Sequence, residues 1–258
     1  MHPRVVAFLG VAVAIAVTST MDARGLSAYS ALPLFPLMAL FWYLQRLTRA
    51  AIGLTISRPG AYATALLHPA IVIGAITALA VLTGAAHAPA DAGKAVRGVL
   101  IVSAATFVIA IVTEEGFFRG WLWASLRRAG FGEAATIAWT SIAFAAWHWS
   151  AVVLPTGFNP PPAQVPLFLV NAAVIGAIWG MLRSISGSIV VTAFVHGIWN
   201  GLAYVLYGYG THVGVLGVAN TALFGPEIGV LGLLANVAFA AALWPFVNRA
   251  AVPAGAAR

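Results

Sequence analysis

The sequence predicts an all-α, polytopic membrane protein with about eight transmembrane helices. Hydrophobic residues make up 62% of the 258 positions and charged residues only 7%, whereas a soluble domain is about half apolar and a quarter charged. The mean hydropathy of +0.96 indicates the same class. Apolar runs of about 20 residues, the length of helix that crosses ~30 Å of hydrocarbon, recur along the whole chain. We therefore expect a single transmembrane domain over residues 1–258.

Eight apolar runs account for the expected helices, with boundaries defined to within several residues. They fall at residues 5–20, 29–45, 64–85, 99–124, 134–153, 165–182, 187–206 and 228–247. The second run contains Pro33 and Pro36, which a membrane helix tolerates when its neighbours satisfy the freed backbone groups. The first run follows Arg4 and is either a secretory signal or a retained anchor. The Thr-Ser-Thr sequence at 18–20 is a poor cleavage site, which favours the anchor.

The positive charges predict the orientation, because short cytoplasmic loops are enriched in Lys and Arg. If the helices alternate in direction, one side of the membrane collects Arg4, Arg46, Arg49, Arg58, Arg127, Arg128, Arg183, Arg249 and Arg258. The other side holds only Arg24, Lys94 and Arg97. We expect the arginine-rich side to be cytoplasmic and to hold both termini, which requires an even number of crossings.

Composition also limits the partners of the protein. The net charge of +7 is carried by loop arginines, which anionic lipid headgroups attract, so membrane lipid is an expected partner and nucleic acid is not. The chain has no cysteine, which excludes disulfides, thiolate metal sites and a cysteine nucleophile. Arginine outnumbers lysine twelve to one. This ratio is typical of a genome rich in G and C, which favours a bacterial source. Together with the apolar runs, it leads us to expect a multi-pass protein of a bacterial inner or plasma membrane.

Two of the six acidic residues, Glu114 and Glu115, stand side by side inside the apolar run at 99–124. An ionisable side chain at the centre of a bilayer costs roughly 2.5 to 3.5 kcal/mol, so such groups usually face a protein interior and act there. The glutamate pair is therefore the first candidate for a functional site.

Three pairs of residues, each separated by one helical turn, place chemically active groups on single helix faces. They are Glu115 with Arg119, Phe144 with His148, and His196 with Asn200. At a rise of ~1.5 Å per residue, Glu114, His148 and His196 each lie roughly 20 Å from the charged residue at the cytoplasmic end of their helix. These three side chains can therefore meet at one depth in the membrane.

The three motifs, in this order, resemble those of the CAAX endopeptidase and bacteriocin-processing (CPBP) intramembrane proteases, also called the abortive-infection family. The first family motif is a Glu pair followed after three residues by Arg, the second is Phe-x-x-x-His, and the third is His-x-x-x-Asn or Asp. The matching residues are Glu114, Glu115, Arg119, Phe144, His148, His196 and Asn200. They lie on separate helices within residues 99–206, the motif-bearing core.

The resemblance implies that Glu114 is a general base, which activates a water molecule for attack on a peptide carbonyl. A hydrogen-bonded structural role is the alternative. Glu115 and Arg119 are expected to form an ion pair that either is structural or supports Glu114. Loss of one partner would leave an unpaired buried charge on both interpretations.

His148 and His196 are expected to position the water, share its proton or bind a metal, unless they only pack. Asn200 is the candidate oxyanion donor, with an interhelical hydrogen bond as the alternative. Glu114 and both histidines are adequate zinc ligands, but the chain lacks the His-Glu-x-x-His helix of soluble zinc proteases. The cofactor stays open between a divalent metal such as zinc and none, and water activated directly by Glu114 is favoured.

The favoured function is an intramembrane endopeptidase, similar to CAAX proteases, that cuts a peptide or membrane-protein substrate. Two alternatives stay open. One is a non-catalytic immunity or binding protein of the same fold, and the other is a proton-coupled transporter with a Glu and His relay. Transporters commonly contain repeats with broken helices, and no repeat is visible. The other histidines, His2, His68, His87 and His212, show no partner pattern and have no expected role.

Overall fold

A computed structural model of the chain describes the backbone of residues 3–251 and the side chains of residues 3–247. Within this range the chain is mainly helical and contains one two-stranded hairpin. The predicted all-α class is confirmed. The side chains of His2, Arg249 and Arg258, which entered the sequence analysis, lie outside the described residues.

The described chain forms α-helices joined by short loops and turns. They are α1 (Pro3–Ala23), α2 (Leu34–Gln45), α3 (Pro59–Leu82), α4 (Ala92–Val112), α5 (Trp123–Arg128), α6 (Glu133–Trp147), α7 (Trp149–Val153), α8 (Val165–Ser186), α9 (Ile189–Leu202), α10 (Thr221–Phe224) and α11 (Val230–Ala251). Two π-helical segments, Glu115–Leu122 and Ala203–Tyr207, follow α4 and α9. Strands β1 (Gly208–Tyr209) and β2 (His212–Val213) pair antiparallel.

Seven helical stretches of the described chain are long and apolar enough to cross a membrane. They coincide with seven of the eight predicted runs. The remaining run, 134–153, is not one continuous helix, because α6 ends at Trp147 and α7 begins at Trp149, with His148 between them. The multi-pass character of the protein is confirmed, whereas the number of crossings and the side on which the termini lie stay predictions.

Large apolar side chains cover the outside of the bundle. On α4, the side chains of Leu100, Ile101 and Val108 are 64%, 62% and 63% exposed. Soluble monomers rarely expose contiguous apolar surface of this kind, whereas lipid tails solvate it. The face of α4 that carries these residues is therefore a lipid-facing surface.

Helix α9 lies inside the bundle, where α3, α4 and α8 pack around it. Its close approach to α4 depends on two glycines one turn apart, Gly197 and Gly201. A Cβ at Gly197 would lie 2.5 Å from the backbone oxygen of Ser103, and a Cβ at Gly201 would lie 2.7 Å from that of Val99. Small residues at this spacing let membrane helices approach backbone to backbone.

The turn between α8 and α9 fixes where α9 begins. Gly187 follows α8 with a φ of 69°, in the left-handed region that favours glycine. Ser188 then caps α9, because its side chain accepts a hydrogen bond from the backbone N–H of Val190 at 3.1 Å. Arg183, in the last turn of α8, donates to the backbone oxygen of Arg119 at 3.2 Å. The turn is thereby tied to the π-helical segment after α4.

Candidate active site

The Glu pair lies where α4 gives way to the π-helical segment Glu115–Leu122. Every residue of that segment is buried. A Cβ at Gly116 would lie 2.5 Å from the backbone oxygen of Ile111, so glycine is needed where the chain passes so close to the preceding turn. Single stretches of π-helix inside α-helices are rare and occur frequently at functional sites. The segment directs Glu114 and Glu115 into different surroundings.

Glu115 is fully buried and binds two partners. Its Oε1 lies 3.2 Å from Nη1 of Arg119, with both side chains 0% exposed, so the ion pair that the sequence predicts is present. The same oxygen accepts a hydrogen bond from Nδ1 of His196 at 3.0 Å. Arg119 is held further by the backbone oxygen of Gly176 at 3.2 Å and by the ring of Phe144, whose centroid is 4.2 Å from the guanidinium carbon.

Glu114 faces a cavity and is partly exposed. Its Oε2 lies 3.9 Å from Nε2 of His148 and 3.9 Å from Nε2 of His196. A direct hydrogen bond does not span this separation, but one water molecule bridges polar groups at such distances. The structure therefore brings the three side chains together, as the depths of their motifs predict.

The hydrogen bonds of Nδ1 in His148 and His196 assign the tautomers of the two imidazoles. Nδ1 of His148 contacts the backbone oxygen of Phe144 at 2.9 Å, and Nδ1 of His196 contacts Glu115, as described above. A carbonyl or carboxylate oxygen only accepts, so each Nδ1 carries the proton and, in the neutral ring, each Nε2 presents a lone pair toward Glu114. Trp179 packs against the His196 ring with centroids 4.3 Å apart. The second predicted pair, Phe144 and His148, also forms a ring contact.

Four of the six predicted site residues line one cavity of about 70 Å³. They are Glu114, His148, His196 and Asn200. Glu115 and Arg119 do not line the cavity. They support it from the protein interior, because Glu115 binds both His196 and Arg119. The catalytic roles assigned to all six residues stay predictions.

Glu227 also lines the cavity, and the sequence analysis missed it. Its Oε1 accepts a hydrogen bond from the indole N–H of Trp199 at 2.9 Å. Burial raises the pKa of Glu227 from its ordinary value to about 7, against the opposing effect of the Trp199 hydrogen bond. A sequence signal for Glu227 exists, because it is one of only six acidic residues and stands between apolar segments.

His68 has partners that its sequence context did not reveal. It is fully buried, contacts Oδ1 of Asn236 through Nε2 at 2.8 Å, and stacks on Trp199 with ring centroids 4.6 Å apart. Nδ2 of Asn236 donates to Oδ1 of Asn171 at 3.0 Å. Nδ2 of Asn171 in turn donates to the backbone oxygen of Glu227 at 3.0 Å. This buried polar chain fixes the loop that carries Glu227.

Glu114, His148 and His196 do not form a metal site in this arrangement. Among residues 3–247, no group of three or more His, Asp or Glu side chains is placed to hold a metal ion. The 3.9 Å separations from Glu114 to each histidine exceed the roughly 3.4 Å expected between two ligands of a tetrahedral zinc ion with bonds of ~2.0–2.1 Å.

Comparison with known protein families gives a match over the centre of the chain. Residues 96–202 match the family model described as type II CAAX prenyl endopeptidase Rce1-like. This range contains all three motifs, so the resemblance to the CPBP family is confirmed. No curated protein and no solved structure matches the chain significantly.

Proposed function

We propose that this chain is an intramembrane endopeptidase that uses water activated by Glu114, because residues 96–202 match the Rce1-like family model of type II CAAX prenyl endopeptidases. The observation that carries the proposal is the position of Glu114, with its Oε2 3.9 Å from each histidine Nε2 in one cavity. The substrates are peptides or membrane proteins that reach this cavity from the surrounding lipid. The composition favours a bacterial cell membrane as the location.

The proposed reaction begins with a water molecule held between Glu114, His148 and His196. Glu114 accepts one proton of the water while the water oxygen attacks the carbonyl carbon of the scissile peptide bond. The side-chain amide of Asn200 donates a hydrogen bond to the negative oxygen that develops. The carbon–nitrogen bond then breaks, and the proton held by Glu114 passes to the leaving nitrogen, so that a carboxylic acid and an amine are released.

Glu115 and Arg119 are proposed to act through His196. The carboxylate of Glu115 accepts the Nδ1 proton of His196, so the other ring nitrogen stays free to accept a hydrogen bond from water. Arg119 neutralises the buried Glu115 charge. Both are positioning residues in this mechanism.

The proposal is tested with purified full-length protein in liposomes and a panel of hydrophobic peptides, with the fragments identified by mass spectrometry. We expect Glu114→Gln to lower the cleavage rate about 10²- to 10⁴-fold, the range that a general base contributes. The matched control is Glu133→Gln, because Glu133 is partly exposed and pairs with Arg127 at 3.4 Å, a kind of pair that contributes little. Reaction in ¹⁸O-water should place one ¹⁸O in the new carboxyl group.

Undiminished cleavage by folded Glu114→Gln would contradict the mechanism. A folded wild-type protein that cuts no peptide of the panel would favour the non-catalytic immunity or binding protein of the same fold. A pH-driven flux in the same liposomes would favour the transporter.

A further inference from the structure

A second cavity adjoins the candidate active site and has no part in the mechanism above. Its volume is about 160 Å³, several times the ~30 Å³ that one water molecule occupies in the liquid. Three residues line both cavities: Phe158, Phe168 and Glu227. A group that occupied the second cavity would therefore lie next to the site where we propose that the peptide bond is cut.

Aromatic rings form the wall between the two cavities. Phe158 stacks on Tyr209 with centroids 5.7 Å apart and meets Tyr204 edge to face at 5.6 Å. Phe158 also contacts Phe168, and Phe168 in turn contacts the His148 ring at 5.9 Å. The hairpin of β1 and β2 contributes further lining residues. The second cavity, called the aromatic cavity below, is thus an apolar chamber with aromatic rings on the side of the active site.

Among the described residues that line the aromatic cavity, Glu227 is the only acidic one. Its backbone is held by the buried asparagine chain, and its Oε1 is held by the indole of Trp199. Trp199 is itself fixed by stacking on His68. Within the described residues, no hydrogen bond to the second carboxylate oxygen, Oε2, accompanies the one that Oε1 accepts from Trp199. A single carboxylate at the boundary of an apolar chamber suits a long side chain with one positive end.

We propose that the aromatic cavity is a substrate subsite for a Lys or Arg side chain, whose charged end binds Glu227. The inference rests on the proposed function and names the substrate class of the same site. The hydrocarbon stem of such a side chain packs against apolar walls while its charged end reaches a polar partner. Aromatic faces attract the cation, and the carboxylate forms a charge-assisted hydrogen bond with it.

A purely apolar side chain fits the walls but not the carboxylate. It would cover Glu227 and leave a polar group buried without a partner, which is costly. The raised pKa of Glu227, about 7, leaves the carboxyl only partly ionised near neutral pH when the subsite is empty. A bound cation favours the ionised form, so the occupied subsite recovers an interaction that the empty one lacks.

The test uses full-length protein in liposomes and a set of hydrophobic peptides that differ at one guest position, occupied by Lys, Arg, Gln, Leu or Glu. The guest position is moved residue by residue along the peptide, and the cleavage sites are mapped by mass spectrometry. For the wild type we expect the Lys and Arg peptides to exceed the Gln and Leu peptides in kcat/KM by roughly 10- to 100-fold at one position, as for the loss of a hydrogen bond to a charged group. The difference should lie mainly in KM.

Glu227→Gln should remove this preference, so that the Lys, Arg, Gln and Leu peptides are cleaved with similar kcat/KM. The variant keeps an oxygen that can accept the Trp199 hydrogen bond, so its fold should be retained, which circular dichroism checks. Glu227→Lys should shift the preference toward the Glu peptide. Glu133→Gln is the matched control and should keep the wild-type preference.

Binding is measured separately, in the Glu114→Gln background with fluorescent Lys and Leu peptides, so the subsite is tested even if no peptide is cut. The Lys peptide should bind roughly 10- to 100-fold more tightly, and adding Glu227→Gln should abolish the difference. Equal binding of the two peptides, or an equal loss for both with Glu227→Gln, would overturn the subsite. Failure of the proposed protease is distinguishable, because it appears as unaltered cleavage by Glu114→Gln or as a folded wild type that cuts no peptide.

Discussion

The span from Ala92 to Arg128 has two halves with opposite surroundings. In the first half, α4 from Ala92 to Val112, only Ala95 and Ala110 are buried. In the second half, every residue from 115 to 126 is buried. The chain therefore faces lipid along much of its first half and enters the interior of the protein with its second half.

This difference in burial explains why the charged groups of the span lie where they do. Lys94 and Arg97 stand exposed at the start of the first half, where long side chains reach water or headgroups. Glu115 and Arg119 occupy the second half, where each needs the other. Between the halves, Thr113 leaves helical geometry with a φ of −109° and a ψ of −99°. The change of helix type there places two neighbouring carboxylates in different surroundings.

We expect the largest difference in stability between two arginine variants, one in each half of the span. Arg119→Met should lower the free energy of unfolding by about 3–5 kcal/mol, because it leaves Glu115 buried without its cation. Arg97→Met, in the exposed half, should change it by no more than about 0.5 kcal/mol. Thermal and denaturant unfolding of both variants in the same detergent measures the two effects.

A double variant separates the lost cation from lost packing. Glu115→Gln combined with Arg119→Met removes both charges, so it should recover a large part of the stability that Arg119→Met loses. The contrast between the halves would be wrong if the two single arginine variants were equally stable. An unrecovered double variant would instead assign the loss to the contacts of the guanidinium with Gly176 and Phe144.

Glu227 differs from the ion-paired Glu115 in the buried half of the span, because the hydrogen bond to its carboxyl group comes from a neutral indole. Burial raises the pKa of Glu227 from 4.5 to about 7. Between these two pH values the folded protein holds a proton that the unfolded chain has released. The contribution of Glu227 to stability is therefore most favourable below about pH 4.5 and falls as the pH rises to about 7. At about 1.4 kcal/mol per pKa unit, this contribution falls by up to about 3.5 kcal/mol.

Glu227→Gln removes this titrating group, so the stability of the variant relative to wild type should rise as the pH increases from about 4.5 to about 7. The measurement is the melting temperature of wild type and variant from pH 4.5 to 8, with Glu133→Gln as the control that keeps the wild-type slope. If the wild type and Glu227→Gln show parallel curves across this range, the burial of Glu227 does not penalise its ionised form.

Much of the site can be predicted from sequence, because its elements carry local signals. Two carboxylates in an apolar run indicate function by their energetic cost, and partners one turn apart indicate shared helix faces. The depths of Glu114, His148 and His196 then depend only on counting residues from the nearest charge. These signals are enough to predict that three side chains from separate helices meet at one depth.

The remaining features depend on contacts between residues that are distant in sequence. The loop of Glu227 is held by a hydrogen-bonded chain of Asn171, Asn236 and His68, and none of these has a local pattern. The π-helical segment differs from an α-helix by one residue per turn in its hydrogen bonding, and apolar periodicity does not register this. The break at His148 likewise interrupts a run that composition alone treats as continuous.

We expect the smallest change in the free energy of unfolding from a substitution where α4 packs against α9 and does not face lipid. Gly201 lets α9 approach α4, and a Cβ there would lie 2.7 Å from the backbone oxygen of Val99. Gly201→Ala should therefore lower the free energy of unfolding by roughly 1–3 kcal/mol, the usual cost of overpacking. Backbone atoms cannot move aside as a flexible side chain can, so this cost should not be avoided by a change of rotamer.

Gly74 on α3 provides the matched control for this substitution. A Cβ at Gly74 would meet no heavy atom within 4 Å, so Gly74→Ala should be neutral or stabilise the protein by up to about 1 kcal/mol. Unfolding of both variants, followed by the emission of the tryptophans, gives the comparison. If Gly201→Ala were as stable as Gly74→Ala, the close packing of α9 against α4 would not contribute to the stability of the protein. The two halves would then differ only in their exposure.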